Sequence, residues 1–169
     1  MTSNSPSDPG AAPAPRAEQA KALRLWVVLS RAREAIASRL QEDVTRHGLT
    51  LTEFGILEVL YHKGPMLLGE VQRRILVSSG GVTYLVDRLE SKGLVERRTC
   101  SEDRRARYAA LTDRGFELIS RIFPEHAACI EAMMSELTVD EQAIAHGLLR
   151  RLGLAAARAD CGGEGSPEV

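Results

Sequence analysis

The sequence is poor in lysine, cysteine and long apolar runs, and each shortage excludes something. Three cysteines, Cys100, Cys129 and Cys161, are spread too widely to form a disulfide framework or a close-spaced metal set. That usage points to a reducing, cytoplasmic setting. No stretch approaches the roughly 20 apolar residues that a membrane span needs. The first fifteen residues, MTSNSPSDPGAAPAP, lack the basic start and apolar core of a signal peptide. No Gly-rich phosphate loop, metal-ligand set or nucleophile elbow is present, so the chain is not read as an enzyme, and no cofactor or metal is expected. Net charge is also nearly absent: the formal value is −1, with a pI near 6.4. Taken alone, that balance argues against a nucleic-acid partner. Only Lys21, Lys63 and Lys92 are lysine among the 22 basic residues, and the rest are arginine. Arginine's planar fork suits phosphates and guanine edges. A GC-rich coding sequence explains the total, however, so position counts for more than number.

What is present reads as one domain of 169 residues, 44% hydrophobic and 27% charged. Residues 1–15 and 160–169 are expected to be disordered tails, leaving a single domain over 16–159. A first helix is predicted from about Arg16 to His47, its apolar stripe running Leu25, Leu29, Ala32, Ile36, Leu40, Val44, with Gly48 as a stop. Thr50-x-x-Glu53 reads as a capping box opening a short helix that Gly64-Pro65 closes, and a third helix should span Leu67 to about Ile75. Ser78 is the expected N-cap of a fourth helix with Val82, Leu85, Val86 and Leu89 inward and Gly93-Leu94 as its left-handed stop. Leu94–Thr99 and Arg107–Leu111 read as two strands of a hairpin whose loop holds Asp103-Arg104-Arg105. Thr112 caps a helix to about Leu137, interrupted at Pro124 with a kink near Phe123. Thr138-x-x-Glu141 opens a last helix to about Ala159, striped with Ile144, Leu148, Leu152 and Ala155.

The predicted fold is therefore mainly α with a small β-wing. A winged helix-turn-helix lobe over about 50–111 lies between long terminal helices, about 16–47 and 112–159. The apolar faces of those helices exceed what the lobe can cover, so a second copy of the chain is the expected partner, giving a symmetric homodimer.

Leu89-Glu90-x-x-Gly93-Leu94-Val95, then seven residues, Asp103-Arg104-Arg105, then six residues, Thr112-x-x-Gly115 resembles the signature of the MarR family of winged-helix transcriptional regulators. Leu51-Thr52-x-Phe54 and the flanking long helices agree with it, and the similarity covers about residues 20–157. The resemblance implies an intertwined dimer whose fourth helix enters the major groove and whose wing enters the minor groove of a pseudo-palindromic operator. It also implies repression, with release by a small aromatic or phenolic effector bound between the dimer helices and the DNA-binding lobe. On the fourth helix, Ser78, Ser79, Gly80, Thr83, Tyr84 and Arg88 become the candidate DNA contacts: hydroxyls and the helix start for phosphates, tyrosine for a sugar or thymine methyl, arginine for phosphate or guanine. In the wing, Asp103 and Arg105 resemble the family's Asp-x-Arg pair, in which the carboxylate orients an arginine suited to a narrow minor groove, and Arg104 and Arg107 would add phosphate contacts. A solvated helix face and a polar hairpin tip are the plain alternatives for these residues.

For the effector site, Trp26, His47, Phe54, Tyr61, His62 and Met66 are the candidate lining, with core packing as their other explanation. The stretch from Phe123-Pro124-Glu125-His126 through Leu137-Thr138 is similar to the branch that senses quinone-like or other aromatic compounds. Thiol sensing is the alternative: Cys100 lies at the wing's base, where Arg97 and Arg98 could lower its pKa. The hydroperoxide-sensing branch uses a cysteine near the first helix, and none occurs between Arg16 and Leu60. His126 and Cys129 share a helix face, but two ligands fall short of the three or four of a zinc site. A ligand-independent winged helix used for protein contact is the remaining alternative, and the Arg-rich wing argues against it.

Charge by region reverses the first impression. From Gln72 to Tyr108 there are nine basic residues against five acids, while the remainder is acidic overall. The near-neutral total conceals a basic lobe.

Overall fold

The computed structural model describes residues 16–75, 81–99 and 107–159. Ser78, Ser79, Gly80, Cys100, Asp103, Arg104, Arg105, Cys161 and both expected tails lie outside the described residues.

The chain divides into two units at Leu51. The first carries α1, Ala17–Thr45, followed by Gly48 as expected. Its stripe is buried only toward the C-terminal end, where Val44 and Leu49 are covered and the Leu49 amide closes onto the Val44 carbonyl. Gln41 holds the turn together. Its amide nitrogen donates to Thr45 Oγ1 at 2.7 Å, and its oxygen accepts from the Leu51 N–H at 2.9 Å. The N-terminal half, with Leu23, Leu25, Trp26, Val27 and Val28, is exposed.

The second unit begins at Thr52 and contains the rest: α2 (Leu51–Lys63, all but its first residue), β1 (Met66–Leu67), α3 (Leu68–Arg74), α4 (Gly81–Ser91), β2 (Val95–Thr99), β3 (Arg107–Leu111), α5 (Asp113–Met134) and α6 (Val139–Ala156). The mainly helical winged fold is as read from the sequence, but the wing is a three-stranded antiparallel sheet in the order β1-β3-β2. Met66 and Leu67, expected in a loop and a helix start, pair with Ala109 and Tyr108. The strand arises because Gly64-Pro65 ends α2 and leaves two extended residues beside the otherwise open edge of β3. That edge also explains Ala109-Ala110, poor strand formers on propensity. Both are fully buried in the central strand, which α3 and α5 adjoin, so tertiary burial overrides propensity there.

Helix α3 packs on α4, and α4 on β2, which is the helix-turn-helix and wing arrangement. Phe54, Ile56, Leu57, Val71, Val82, Val86, Leu89, Val95, Ile119 and Ile122 form the core. Helix α5 runs without a break past Pro124, contrary to the expected interruption, and ends at Met134 rather than Leu137. Proline removes only the bond to the Ser120 carbonyl, its ring is exposed, and long helical runs on both sides outlast that loss. The second capping box forms as read: Thr138 Oγ1 accepts from the Glu141 N–H, and Glu141 accepts from the Thr138 N–H at 2.8 Å. Those Thr138 hydrogen bonds hold the Glu141 carboxyl below its ordinary value. No residue of α6 is buried, so its apolar stripe faces outward from one end to the other.

The exit of α4 is tightly built. Gly93 adopts φ 69°, its N–H donates to the Glu90 carbonyl at 2.8 Å, and the Leu94 N–H returns to Leu89 at 2.9 Å, the six-to-one closure of a left-handed cap. Thr112, the N-cap of α5, donates its hydroxyl to the Gly93 carbonyl at 2.7 Å and its N–H to the Leu94 carbonyl at 3.1 Å. The same hydroxyl accepts from the Gly115 N–H at 3.0 Å. A Cβ at Gly115 would stand 2.0 Å from the Leu94 carbonyl oxygen. Gly115→Ala is therefore expected to cost about 3 kcal/mol or more, because only backbone displacement relieves the overlap. Chemical denaturation of both chains measures it, and a loss under 1 kcal/mol, on the order of an ordinary substitution, would show that the joint yields easily.

Candidate nucleic-acid interface

Val82, Val86 and Leu89 bury one face of α4, and Thr83, Tyr84, Asp87 and Glu90 stand exposed on the other. Of the residues expected on this face, the structure places Thr83 and Tyr84 outward, with Arg107 exposed at the start of β3. Ser78, Ser79 and Gly80, and Asp103, Arg104 and Arg105 of the wing tip, fall outside the described residues.

Two rows of side chains flank the outer face, and each is tied to a neighbouring element. Along one side, Arg97 of β2 reaches Asp87 at 2.5 Å and also pairs with Glu90. Burial works against the Arg97 charge, but the hydrogen bonds and charges of Asp87 and Glu90 outweigh it and raise the guanidinium above its ordinary value. The consequence is electrostatic: one guanidinium from the sheet is shared by two carboxylates of the helix and offsets part of their charge. Along the other side, Tyr84, Arg88 and Lys92 repeat at four-residue steps. Arg88 is not a simple outward cation. Its Nε lies 3.3 Å from Glu53 Oε1, and its guanidinium carbon lies 5.9 Å from the Tyr84 ring centre. On β2, Arg98 pairs with Glu96 at 2.7 Å.

The effector candidates separate by location. Trp26, 65% exposed, and His47 belong to the first unit. In the second, Phe54 is a core side chain with its ring 4.1 Å from that of buried His126, and Met66 is buried in β1. Tyr61 and His62 come together, 5.1 Å between ring centres, with Phe123 at 4.7 Å from His62 and Phe116 at 5.3 Å from Tyr61. Sequence reasoning missed both phenylalanines, although their spacing on α5 puts Phe116, Ser120 and Phe123 in one row. The Ser120 hydroxyl is buried with no hydrogen-bond partner among the described residues. His126 and Cys129 gather no third ligand, since no metal-holding group occurs among the described residues. Cys129 is a free thiol. No described helix is long and apolar enough to cross a membrane.

Comparison with known proteins agrees with this geometry. Residues 47–106 match the family model described as MarR family. The transcriptional regulator MhqR of Bacillus subtilis is 43% identical over 134 residues, 79% of this chain and 92% of the relative. The chain belongs to the MarR family. It is a DNA-binding transcriptional regulator and not an enzyme. Among solved structures, the MarR-family regulator Sco3205 of Streptomyces coelicolor, in complex with DNA, is 25% identical with a TM-score of 0.75, covering 83% of this chain and 90% of its own. BpsR of Bordetella bronchiseptica, whose DNA binding is regulated by 6-hydroxynicotinic acid, shares the fold at 22% identity and TM-score 0.70, covering 77% of this chain and 98% of its own.

Arg97 reduces the negative charge that Asp87 and Glu90 put on the exposed side of α4. Arg97→Ala should therefore weaken binding to duplex DNA of any sequence by about fivefold, since one more unmasked charge set against phosphate costs about 1 kcal/mol in water-like surroundings. Fluorescence anisotropy with labelled duplexes reads it, and undiminished affinity would mean that Asp87 and Glu90 do not face the DNA.

Proposed function

We propose that the protein is a homodimeric repressor that a small hydroxylated aromatic compound releases from a pseudo-palindromic operator. The observation that carries the DNA-reading part is the outer face of α4, on which Thr83 and Tyr84 stand exposed while Arg97 of the adjoining strand pairs with both Asp87 and Glu90 and offsets part of their charge. Donors of this kind reach base edges and phosphates once the acids beside them are masked. The wing-tip residues Asp103, Arg104 and Arg105, with Arg107, take the minor groove, and Ser78, Ser79 and Gly80 lead into the helix that enters the major groove. Dimerisation is supported by α6, whose Ile144, Leu148, Leu149, Leu152 and Leu154 are exposed, and by the exposed apolar start of α1. Apolar faces of this extent in a water-soluble regulator are covered by a partner, and a second copy with the same faces closes the symmetry.

Release by an aromatic compound is supported by the ring cluster of Tyr61, His62, Phe116 and Phe123 beside the unpartnered Ser120 hydroxyl. Rings offer a stacking surface, and a buried lone hydroxyl offers a ligand oxygen its hydrogen bond. The regulation of BpsR by 6-hydroxynicotinic acid is a precedent of the same chemistry.

Footprinting on the chain's own upstream region tests the reading. Protection of two half-sites about 10 base pairs apart is expected, with Arg105→Ala abolishing most of the protection while leaving the dimer folded. Undiminished protection would overturn the wing's role. Leu148→Glu should give monomers in sedimentation, and a persistent dimer would move the interface elsewhere. Catechol and 6-hydroxynicotinic acid are the first compounds to titrate against the protein–DNA complex. Release by either, weakened about tenfold in Ser120→Ala through loss of one buried hydrogen bond, is the expected outcome. Release that is equal in Ser120→Ala and wild type would remove the ring cluster from the effector site.

A further inference from the structure

Beneath the recognition helix lies a carboxylate that the sequence motif does not account for. Glu53 of α2 is fully buried, and Lys92 Nζ reaches its two oxygens at 2.9 and 3.0 Å. One cation meets the charge requirement of a buried carboxylate. A second is nonetheless recruited: Arg88, one turn nearer the N-terminus of α4, has its Nε 3.3 Å from the same carboxylate. The Arg88 guanidinium then lies within cation–π range of the Tyr84 ring another turn on, and that ring is 62% exposed. A continuous row thus runs from a buried anion on α2, through Arg88, to the outermost aromatic side chain of α4.

We propose that Glu53 is a positioning residue for DNA recognition. It holds Arg88 against the Tyr84 ring, so that Arg88 orients Tyr84 and does not itself grip phosphate or guanine. The inference rests on the reading of α4 as the DNA-facing helix. It follows from how the guanidinium is already placed. Its Nε is turned to Glu53 and its face to the Tyr84 ring, so only the Nη groups are left for another acceptor, and swinging the side chain outward to grip DNA would take a cation from the buried carboxylate. An exposed tyrosine otherwise samples several rotamers, and a cation over its face selects one. Orientation of a ring against a base edge is a source of sequence discrimination, whereas a phosphate grip is not.

The two roles differ in their salt signature. The full-length chain is used to select its preferred duplex from a random pool. Binding to that duplex and to a scrambled one is then measured against salt for wild type, Arg88→Gln, Tyr84→Ala, the double variant and Glu53→Gln. Arg88→Gln should lose about tenfold on the preferred duplex and little on the scrambled one, as expected when a contact to base edges is disturbed. Its slope of log affinity against log salt should match wild type. The double variant should bind no worse than Tyr84→Ala alone, because Arg88 acts through the ring. Glu53→Gln, where circular dichroism shows it folded, should reproduce Arg88→Gln; if it does not fold, the two α4 variants decide alone. A slope flattened by about one unit per subunit in Arg88→Gln would identify a direct phosphate contact and overturn the proposal. Additive losses in the double variant would overturn it equally. Wild type that selects no duplex would instead overturn the DNA-reading assignment beneath it.

Discussion

The lobe depends on the place where α4, the sheet and α5 meet. Gly93 turns the chain left-handed, Leu94 closes back on Leu89, and Thr112 binds both carbonyls that the turn exposes. Gly115 then lets the first turn of α5 lie directly against the Leu94 backbone. Each step constrains the next. The cap ends α4 at a fixed residue, so β2 begins at a fixed residue. The register of β2 with β3, Val95 opposite Leu111, then returns the chain to Thr112. The spaced signature Leu89, Gly93, Leu94, Thr112, Gly115 is therefore one joint read along the chain, and it sets the direction in which α4 leaves the lobe.

This explains which parts of the molecule were legible in sequence. Caps and left-handed stops use a handful of residue types at short, fixed offsets, so Gly93, Thr112 and the Thr138–Glu141 box could be placed before any coordinates. Strand β1 could not, since two residues establish no period and its partner lies 43 positions away in the chain. Glu53 was hidden by its own neighbourhood. Thr50-x-x-Glu53 is a complete local motif, and nothing nearby in sequence says that its carboxylate also meets Lys92, 39 residues on. Arg97 was hidden similarly, because on a strand it looks like any polar residue of an alternating pattern. The Phe116–Phe123 row on α5 was visible as helical spacing but not as a cluster, because Tyr61 and His62 arrive from another helix.

Local charge removed the objection that the near-neutral total raised against DNA, and the structure changes what that charge means. Of the basic residues between Gln72 and Tyr108, Arg88 and Lys92 face Glu53, Arg97 faces Asp87 and Glu90, and Arg98 faces Glu96. Much of the local excess is thus engaged in shaping α4 and β2, while Arg73, Arg74 and Arg107 stand exposed. A count of charges does not show that these cations are already engaged. Arg97 offsets part of the charge of Asp87 and Glu90 on one side of α4, while Arg88 and Lys92 meet Glu53 of α2 on the other.

A division of labour follows from the same geometry. A helix flanked by engaged ion pairs contributes few releasable counterions, so it contributes shape and hydrogen bonding more than salt-dependent affinity. Under the proposed function, affinity of that kind is left to the exposed Arg73, Arg74 and Arg107 and to the second copy of the lobe. In the proposed dimer, joining two lobes through the apolar faces of the terminal helices would make the second contact intramolecular, which multiplies affinity without any further charge. An overall charge of −1 is then compatible with tight DNA binding. Outside Gln72–Tyr108 the acids outnumber the basic residues, so the negative balance belongs to the rest of the chain, and a charge more than about 8–10 Å from a phosphate is largely screened from it.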